Sequence, residues 1–252
     1  MTHRLAELTT VQAAAAAERD GIVLIPAGAF EQHGPGLPLA TDLLRAEGVA
    51  DLVAERFGGR VVVGPSIPIG VSPHHLAFAG TVSARPATFV ALLRDYLESL
   101  HPHGFRRFLV ITGHAGNNAA LETLAQDLLR DLPELEFAWT PITTLAADVV
   151  GDLTVSPVHG HSGEAETAQL LHLRPDLVQS DRLRAGTTEL DQLEPLPRLS
   201  RAGLPKLAVG YHRLSPDGVL GDPRHATAAD GKLIIDRATG RIVDFMKEWL
   251  DA

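Results

Sequence analysis

At 252 residues with 45% hydrophobic side chains, the chain can bury one large core, and a single domain over 1–252 is expected. A formal net charge of −9 with no long basic run excludes a nucleic-acid or anionic-membrane surface as the main partner. The lack of cysteine excludes disulfides, thiolate-held zinc and thiol nucleophiles and fits a cytoplasmic chain; no secretory signal is visible, and the alanine run at 13–17 is too short to span a bilayer.

Thr10 is placed to cap a helix through the alanine run to about residue 20, where Gly21 breaks it. Residues 21–27, Gly-Ile-Val-Leu-Ile-Pro-Ala, form a short apolar run bounded by turn residues, the pattern of a buried parallel strand. Its exit loop carries Glu31-Gln-His33, with Asp42 nine residues later. A helix follows from Thr41 or Asp42 to Phe57, with Leu44, Val49, Leu52, Val53 and Phe57 on roughly one face and Gly58-Gly59 as its stop. A second strand is expected at 60–64, then a loop over 65–85 rich in Pro, Gly, Ser and His, a length that tends to be functional. Pro86 opens a helix to Leu100.

The third strand, 108–112, runs into Gly113-His-Ala-Gly-Asn-Asn and a helix over 119–132, and 135–140 reads as a fourth. A Gly/His-rich loop ends in His159-Gly-His-Ser-Gly-Glu164-Ala-Glu166, followed by a helix to Leu173. Residues 175–205 are proline-broken, an arm or interface loop rather than a second domain. The last helix, 227–250, is expected to bury Leu233, Ile234, Ile242, Phe245, Met246 and Trp249. This alternation predicts an α/β fold, a three-layer sandwich with a mainly parallel sheet of at least four strands flanked by helices.

Strand-exit loops of a parallel sheet meet at one edge, where ligands of such folds bind. They carry Glu31, His33 and Asp42, then His114, then His161, Glu164 and Glu166. Oxygen and imidazole ligands without thiolate suit zinc, manganese or iron(II). The set is large enough for two divalent ions bridged by one carboxylate, for which Asp42 is the candidate. Each residue taken singly could instead cap a turn or helix. Gly113-His-Ala-Gly invites a phosphate-binding reading, but it lacks both the G-x-G-x-x-G spacing and a P-loop lysine. His101 and His103 read as helix-end residues, His172 as a helix-face residue, and His74 and His75 as surface or pocket-lining rather than ligands.

These blocks resemble the creatininase family of metal-dependent amidohydrolases. The likeness runs from residues 26–42 (Pro-Ala-Gly-Ala-Phe-Glu-Gln-His-Gly-Pro-Gly-Leu-Pro-Leu-Ala-Thr-Asp) through Phe78-Ala-Gly-Thr-Val-Ser and Thr112-Gly-His-Ala-Gly-Asn to residues 160–167 and Gly218-Val-Leu-Gly-Asp-Pro. The resemblance implies that Glu31, Asp42 and His114 hold one ion, while His33, the bridging Asp42 and one more glutamate hold the other. In creatininase itself that glutamate falls where this chain has Gly116; other members take it from the later motif, here Glu164. Two positions depart from the family pattern, Gly36 in place of a second histidine and His74-His75 in place of a Glu-His pair, both where substrate is expected. Gly116 and the lack of a tryptophan-rich lid before Gly160 weigh against creatinine as substrate. Leu171-His-Leu-Arg-Pro, Arg184-Ala-Gly and the Gly218 motif resemble the family's peptidase branch of mycofactocin maturation. Family members form homo-oligomers, often hexamers, which the arm would suit.

The expected activity is hydrolysis of a C–N bond in a small-molecule amide or peptide by a metal-bridging hydroxide, with two zinc ions, or manganese or iron in their place. His161 would pass a proton to the leaving nitrogen, and Glu166 would cap its helix in preference to holding His161. One rival is ring opening or deformylation of a nucleotide or sugar derivative, for which Arg45, Arg85 and Arg224 are the phosphate candidates. Another is a non-catalytic, metal-stabilised binding subunit, which would leave no open coordination position.

Overall fold

The computed structural model describes residues 2–153, 156–201, 203 and 205–252. Four parallel strands, β1 (Ile22–Ala27), β2 (Val61–Val63), β3 (Arg107–Thr112) and β4 (Glu136–Pro141), form one sheet in the order β2-β1-β3-β4. Pairing is in register from Ile22 opposite Arg107 to Ala27 opposite Thr112, and β4 extends it from Glu136 opposite Arg107.

The helices are α1 (Thr10–Ala17), α2 (Thr41–Phe57), α3 (Pro86–Leu100), α4 (Asn118–Asp131), α5 (Ile142–Leu145), α6 (Ala147–Leu153), α7 (Glu164–Leu173), α8 (Pro195–Ser200) and α9 (Ala228–Asp251). Strand residues alternate between two cores, as a pleated backbone requires. Val23, Ile25, Phe108 and Val110 pack with Phe89, Leu93, Leu121 and Leu124 of α3 and α4. Ile22, Leu24, Leu109 and Ile111 pack with Val49 and Val53 of α2 and Ile235, Ile242 and Met246 of α9. The sheet is thus covered on both faces, the three-layer arrangement expected.

Several local expectations change. Thr9, not Thr10, caps α1: its side chain accepts from the Gln12 amide while Gln12 reaches back to the Thr9 N–H, and the helix ends at Ala17. Two short helices, α5 and α6, occupy what reads as loop after β4. In α9, Leu233 and Phe245 are exposed, because the buried stripe runs through Ile234, Ala238, Ile242 and Met246 at four-residue spacing, with Ile235 beside it. Within the described part of the 175–205 segment, Gln179 N–H donates to Gly36 O and Gly186 N–H donates to Gly221 O. Among the described residues no helix is long and apolar enough to cross a membrane.

The order β2-β1-β3-β4 places the reversal of winding between β1 and β3. Loops leaving these two strands diverge there and open a crevice at their carboxyl ends. Gly113 lets α2 close one wall of it: a Cβ at this position would lie 2.1 Å from the Asp42 carbonyl oxygen.

Candidate active site

Four chain segments converge on this crevice. The loop after β1 supplies Glu31 and His33, the first turn of α2 supplies Asp42, the turn after β3 supplies His114, and the entry to α7 supplies His161 and Glu166. Glu31, His33, Asp42 and His114 are all buried, at 5% exposure or less. Asp42 divides its oxygens: Oδ1 lies 3.4 Å from His33 Nε2, and Oδ2 lies 3.1 Å from His114 Nδ1. Glu31 Oε1 stands 3.4 Å from each of three ring nitrogens, His114 Nδ1, His75 Nε2 and His161 Nδ1. Glu166 Oε2 lies 3.7 Å from His33 Nε2 and 3.9 Å from His161 Nδ1.

The rings of His33 and His114 are oriented from behind. His33 Nδ1–H donates to the Glu31 carbonyl at 3.1 Å, and His114 Nε2–H donates to the Val71 carbonyl at 3.1 Å. A carbonyl can only accept, so the opposite nitrogen of each ring is the one turned to the carboxylates, an arrangement typical of metal-ligating imidazoles. Both oxygens of Glu31, Asp42 Oδ2 and His33 Nε2 are buried without a hydrogen-bond partner. Such atoms are costly to leave bare, and their crowding at one point fits a cation.

The charge balance agrees. Three carboxylates, Glu31, Asp42 and Glu166, gather here, and among the described residues the fully buried Arg45 is the guanidinium paired with two of them, Asp42 and Glu166. Its guanidinium donates to Asp42 Oδ1 at 3.1 Å, Glu166 Oε1 at 2.8 Å, Gly113 O at 3.2 Å, Gln169 Oε1 at 3.0 Å and Thr143 Oγ1 at 2.8 Å. In the metal-free chain protons supply the remaining positive charge. Burial alone would lower the His33 pKa, but Asp42, Glu166 and Glu31 carry it up to about 9. His114 also rises to about 9, where Asp42 and Glu31 outweigh burial. Burial, then Asp42, pushes Glu31 up to about 7. Burial also opposes ionisation of Asp42, but His33 and His114 hold its pKa well below the usual range.

Glu164 and Glu166 part company here. Glu164 accepts from Ser156 Oγ at 2.7 Å through Oε1; its Oε2 is buried without a hydrogen-bond partner beside Gly221, and the residue lines the same cavity but joins none of the groups whose ligand atoms crowd within metal-binding distance of one another. Glu166 turns into the cluster with His33 and His161. It also accepts the Ser162 N–H at 2.7 Å, so it tethers the turn before α7 as well as facing the two imidazoles. Ser162, at a φ of 56°, is held in the left-handed region and donates its hydroxyl to the His33 carbonyl. At Gly116 a Cβ would lie 2.2 Å from His114 Nε2, so a longer side chain there would collide with the ring.

Above the cluster lies a cavity of about 360 Å³ walled by Glu31, His74, His75, His114, His161, Glu166 and Tyr211 among others. Neither tryptophan lines it, and neither does Gly36, which sits beneath Leu183 of the arm. His74 stacks on His114 at 5.6 Å, and Tyr211 lies 4.2 Å from the His75 ring. Burial pushes the Tyr211 hydroxyl up to about 12, so it enters the site as a neutral phenol. Sequence reading passed over Tyr211, Gln32 and the charge-balancing place of Arg45. For Arg45 a signal existed, its i+3 spacing from Asp42 on the same helix face.

Comparison with known proteins agrees with this geometry. A sequence profile of the creatininase family, described as creatinine amidohydrolase, matches residues 6–246. A mycofactocin precursor peptide peptidase of Mycolicibacterium smegmatis is 38% identical over 232 residues, 90% of this chain and 85% of that protein. A creatinine amidohydrolase of Pseudomonas putida is 27% identical over 246 residues, 91% of this chain and 90% of that one. Among solved structures, a mutant creatininase described as Zn-Zn type superimposes with a TM-score of 0.84 at 26% identity, covering 98% of both chains. The chain therefore belongs to the creatininase family and is a metal-binding amidohydrolase, a hydrolase of carbon–nitrogen bonds.

Proposed function

We propose that this chain is a peptidase that uses two divalent cations to hydrolyse an amide bond near the end of a peptide. The observation that carries the two-cation reading is the division of Asp42, one oxygen toward His33 and the other toward His114, beside a Glu31 carboxylate with no partner. Glu31, Asp42 and His114 would hold one ion; His33, Asp42 and Glu166 would hold the other. We assign this place to Glu166 rather than Glu164 because of the two only Glu166 has a carboxylate oxygen paired with His33, at 3.7 Å. When bound, zinc or manganese supplies Lewis acidity and makes water acidic enough to attack near neutral pH.

The chain's own groups do the rest. His161 Nε2 lies 2.7 Å from the Gln32 carbonyl oxygen, so it carries the ring proton, and Nδ1 keeps a lone pair facing Glu31 and Glu166. From there it can take a proton from water and return it to the departing amine nitrogen. Arg45 fixes the direction of Asp42 and Glu166 through its hydrogen bonds, and the buried walls strengthen each charge interaction.

A peptide is favoured over a small cyclic amide by two facts. The peptidase relative is the more similar of the two curated proteins, and no tryptophan closes the cavity over a small ring. A phosphorylated substrate is disfavoured, since Arg45 is spent on five acceptors, Arg224 is paired with Asp222, and none of Arg45, Arg85 and Arg224 walls the cavity. Cytoplasmic placement and a homo-oligomer, a hexamer by family likeness, complete the reading. Purified protein loaded with zinc or manganese should cleave members of a panel of linear peptides and leave creatinine intact. Turnover of creatinine alone would refute the substrate class, and cations bound without hydrolysis of any amide would favour a binding subunit.

A further inference from the structure

Two imidazoles, His75 and His161, flank Glu31, and their ring centroids are 4.2 Å apart. Both ring nitrogens nearest Glu31 stand 3.4 Å from its Oε1, so distance alone makes either one a ligand. Hydrogen-bond direction separates them, through Gln32. The Gln32 side chain is buried, and one of its terminal atoms lies 2.9 Å from the Gly34 backbone N–H. A backbone N–H only donates, so that atom is the amide oxygen and the other is the NH2 group.

The NH2 group lies 2.9 Å from His75 Nδ1. It only donates, so Nδ1 is the acceptor, and neutral His75 must carry its proton on Nε2. That atom is buried without a partner at the floor of the cavity. At His161 the order is opposite. Its Nε2 meets the Gln32 carbonyl at 2.7 Å and must donate to it, which leaves Nδ1 bare. The longer 3.0 Å approach of the Gln32 nitrogen to the same His161 atom then carries no hydrogen bond, since two acceptors at 2.7 Å would repel far more than two donors at 3.0 Å. Gly218 clamps the arrangement: at a φ of 79°, a Cβ there would stand 2.2 Å from the Gln32 amide nitrogen.

We propose that Gln32 is a positioning residue that sets two neighbouring imidazoles in opposite tautomers, and that the His75 Nε2–H is thereby a hydrogen-bond donor to the amide oxygen of the substrate. This rests on the amide-hydrolase reading above. His75 transfers no proton: its N–H polarises the carbonyl and stays bonded as negative charge grows on the oxygen, while proton movement is left to His161 Nδ1. A protonated ring nitrogen offers no lone pair, so His75 is not a cation ligand even though it completes a group with Glu31 and His161 of suitable dimensions.

Histidine labelled with nitrogen-15 tests this directly, because long-range proton–nitrogen spectra report which ring nitrogen carries hydrogen. In zinc-loaded protein, the His75 signals, assigned by their loss in His75→Asn, should show Nε2 protonated and Nδ1 bare. Gln32→Glu should reverse them, since a carboxylate accepts from Nδ1–H. Zinc content of His75→Asn should equal that of the parent. A peptidyl phosphinate, which carries a tetrahedral oxyanion, should move the His75 Nε2–H resonance downfield and bind about 10- to 100-fold more weakly to His75→Asn, the loss of one hydrogen bond to a charged group. A wild-type proton on Nδ1, a zinc equivalent lost in His75→Asn, or a bound phosphinate that leaves the His75 signal unmoved would overturn the proposal. The wild-type spectrum alone decides the tautomer should Gln32→Glu not fold. Recording it on metal-free protein too separates the cases: a chain that takes up no zinc, or binds no phosphinate, refutes the parent reading.

Discussion

Arg45→Met replaces the buried guanidinium with an uncharged side chain of similar length and removes all five donor contacts at once. Two of these go to carboxylates, Asp42 and Glu166, at 3.1 and 2.8 Å, and the arginine has no exposed surface through which water could substitute. Breaking a buried ion pair from one side costs about 3–5 kcal/mol, because the partner charge is left bare. The three neutral contacts are not added, since a relaxing pocket can rehydrate or re-pair some of them. For a chain of this size about 2–4 °C is lost per kcal/mol, so the melting temperature should fall by about 6–20 °C. The assay is thermal unfolding in chelator at neutral pH, with Arg45→Lys alongside; lysine keeps the charge but not the fork, and should fall between the two. A loss under about 1 kcal/mol for Arg45→Met would refute the view that this residue balances the acidic cluster.

Other consequences are open to measurement. Glu166→Gln should lose one of two bound cations in elemental analysis while Glu164→Gln keeps both; the reverse pattern would restore Glu164 as the ligand. Cation binding should release protons, because the metal-free His33 and His114 hold theirs up to about pH 9. Their pKa values lie above the unfolded 6.5, so the stability they lend the metal-free fold is complete below that value and is lost as pH rises through about 9. Metal affinity should therefore tighten with pH across the same window. Calorimetry at pH 7.5 in buffers of different ionisation enthalpy should count about two protons released when both sites fill, and none would contradict the assignment. Thr9→Ala, which removes the α1 cap far from the site, should cost about 1 kcal/mol in denaturant titrations without changing cation content; an altered metal stoichiometry would count against the separation of the two regions.

The parts legible in sequence are those carried by local pattern. The apolar run of β1, the Pro86 start of α3 and the strand-then-glycine signal before His114 each fix an element within a few neighbours, and parallel-sheet geometry then brings their exits together. Glu31, His33, Asp42 and His114 were reachable for that reason. Glu164 and Glu166 were not separable, since both open the same helix two positions apart and only the packing partners differ: Glu166 accepts from Arg45 of α2 and Glu164 from Ser156. The Gln32 network also lay beyond reach, because its two imidazoles are 43 and 129 residues away along the chain. Leu233 and Phe245 were misplaced for a different reason. Apolar composition marks a helix as amphipathic but does not set the edge of its buried stripe, which α7 and α2 define by packing against α9. Thr9 was a missed signal, for Gln12 three residues on completes a capping box that Thr10 cannot make.

The central claim is that Asp42 lies between two cations. Crystals of zinc-loaded protein measured on both sides of the zinc absorption edge should give two anomalous peaks flanking the Asp42 carboxylate, one within ligand distance of His114 and Glu31, the other of His33 and Glu166. A single peak, or a second one bound by Glu164 with Asp42 contacting neither, would contradict the account.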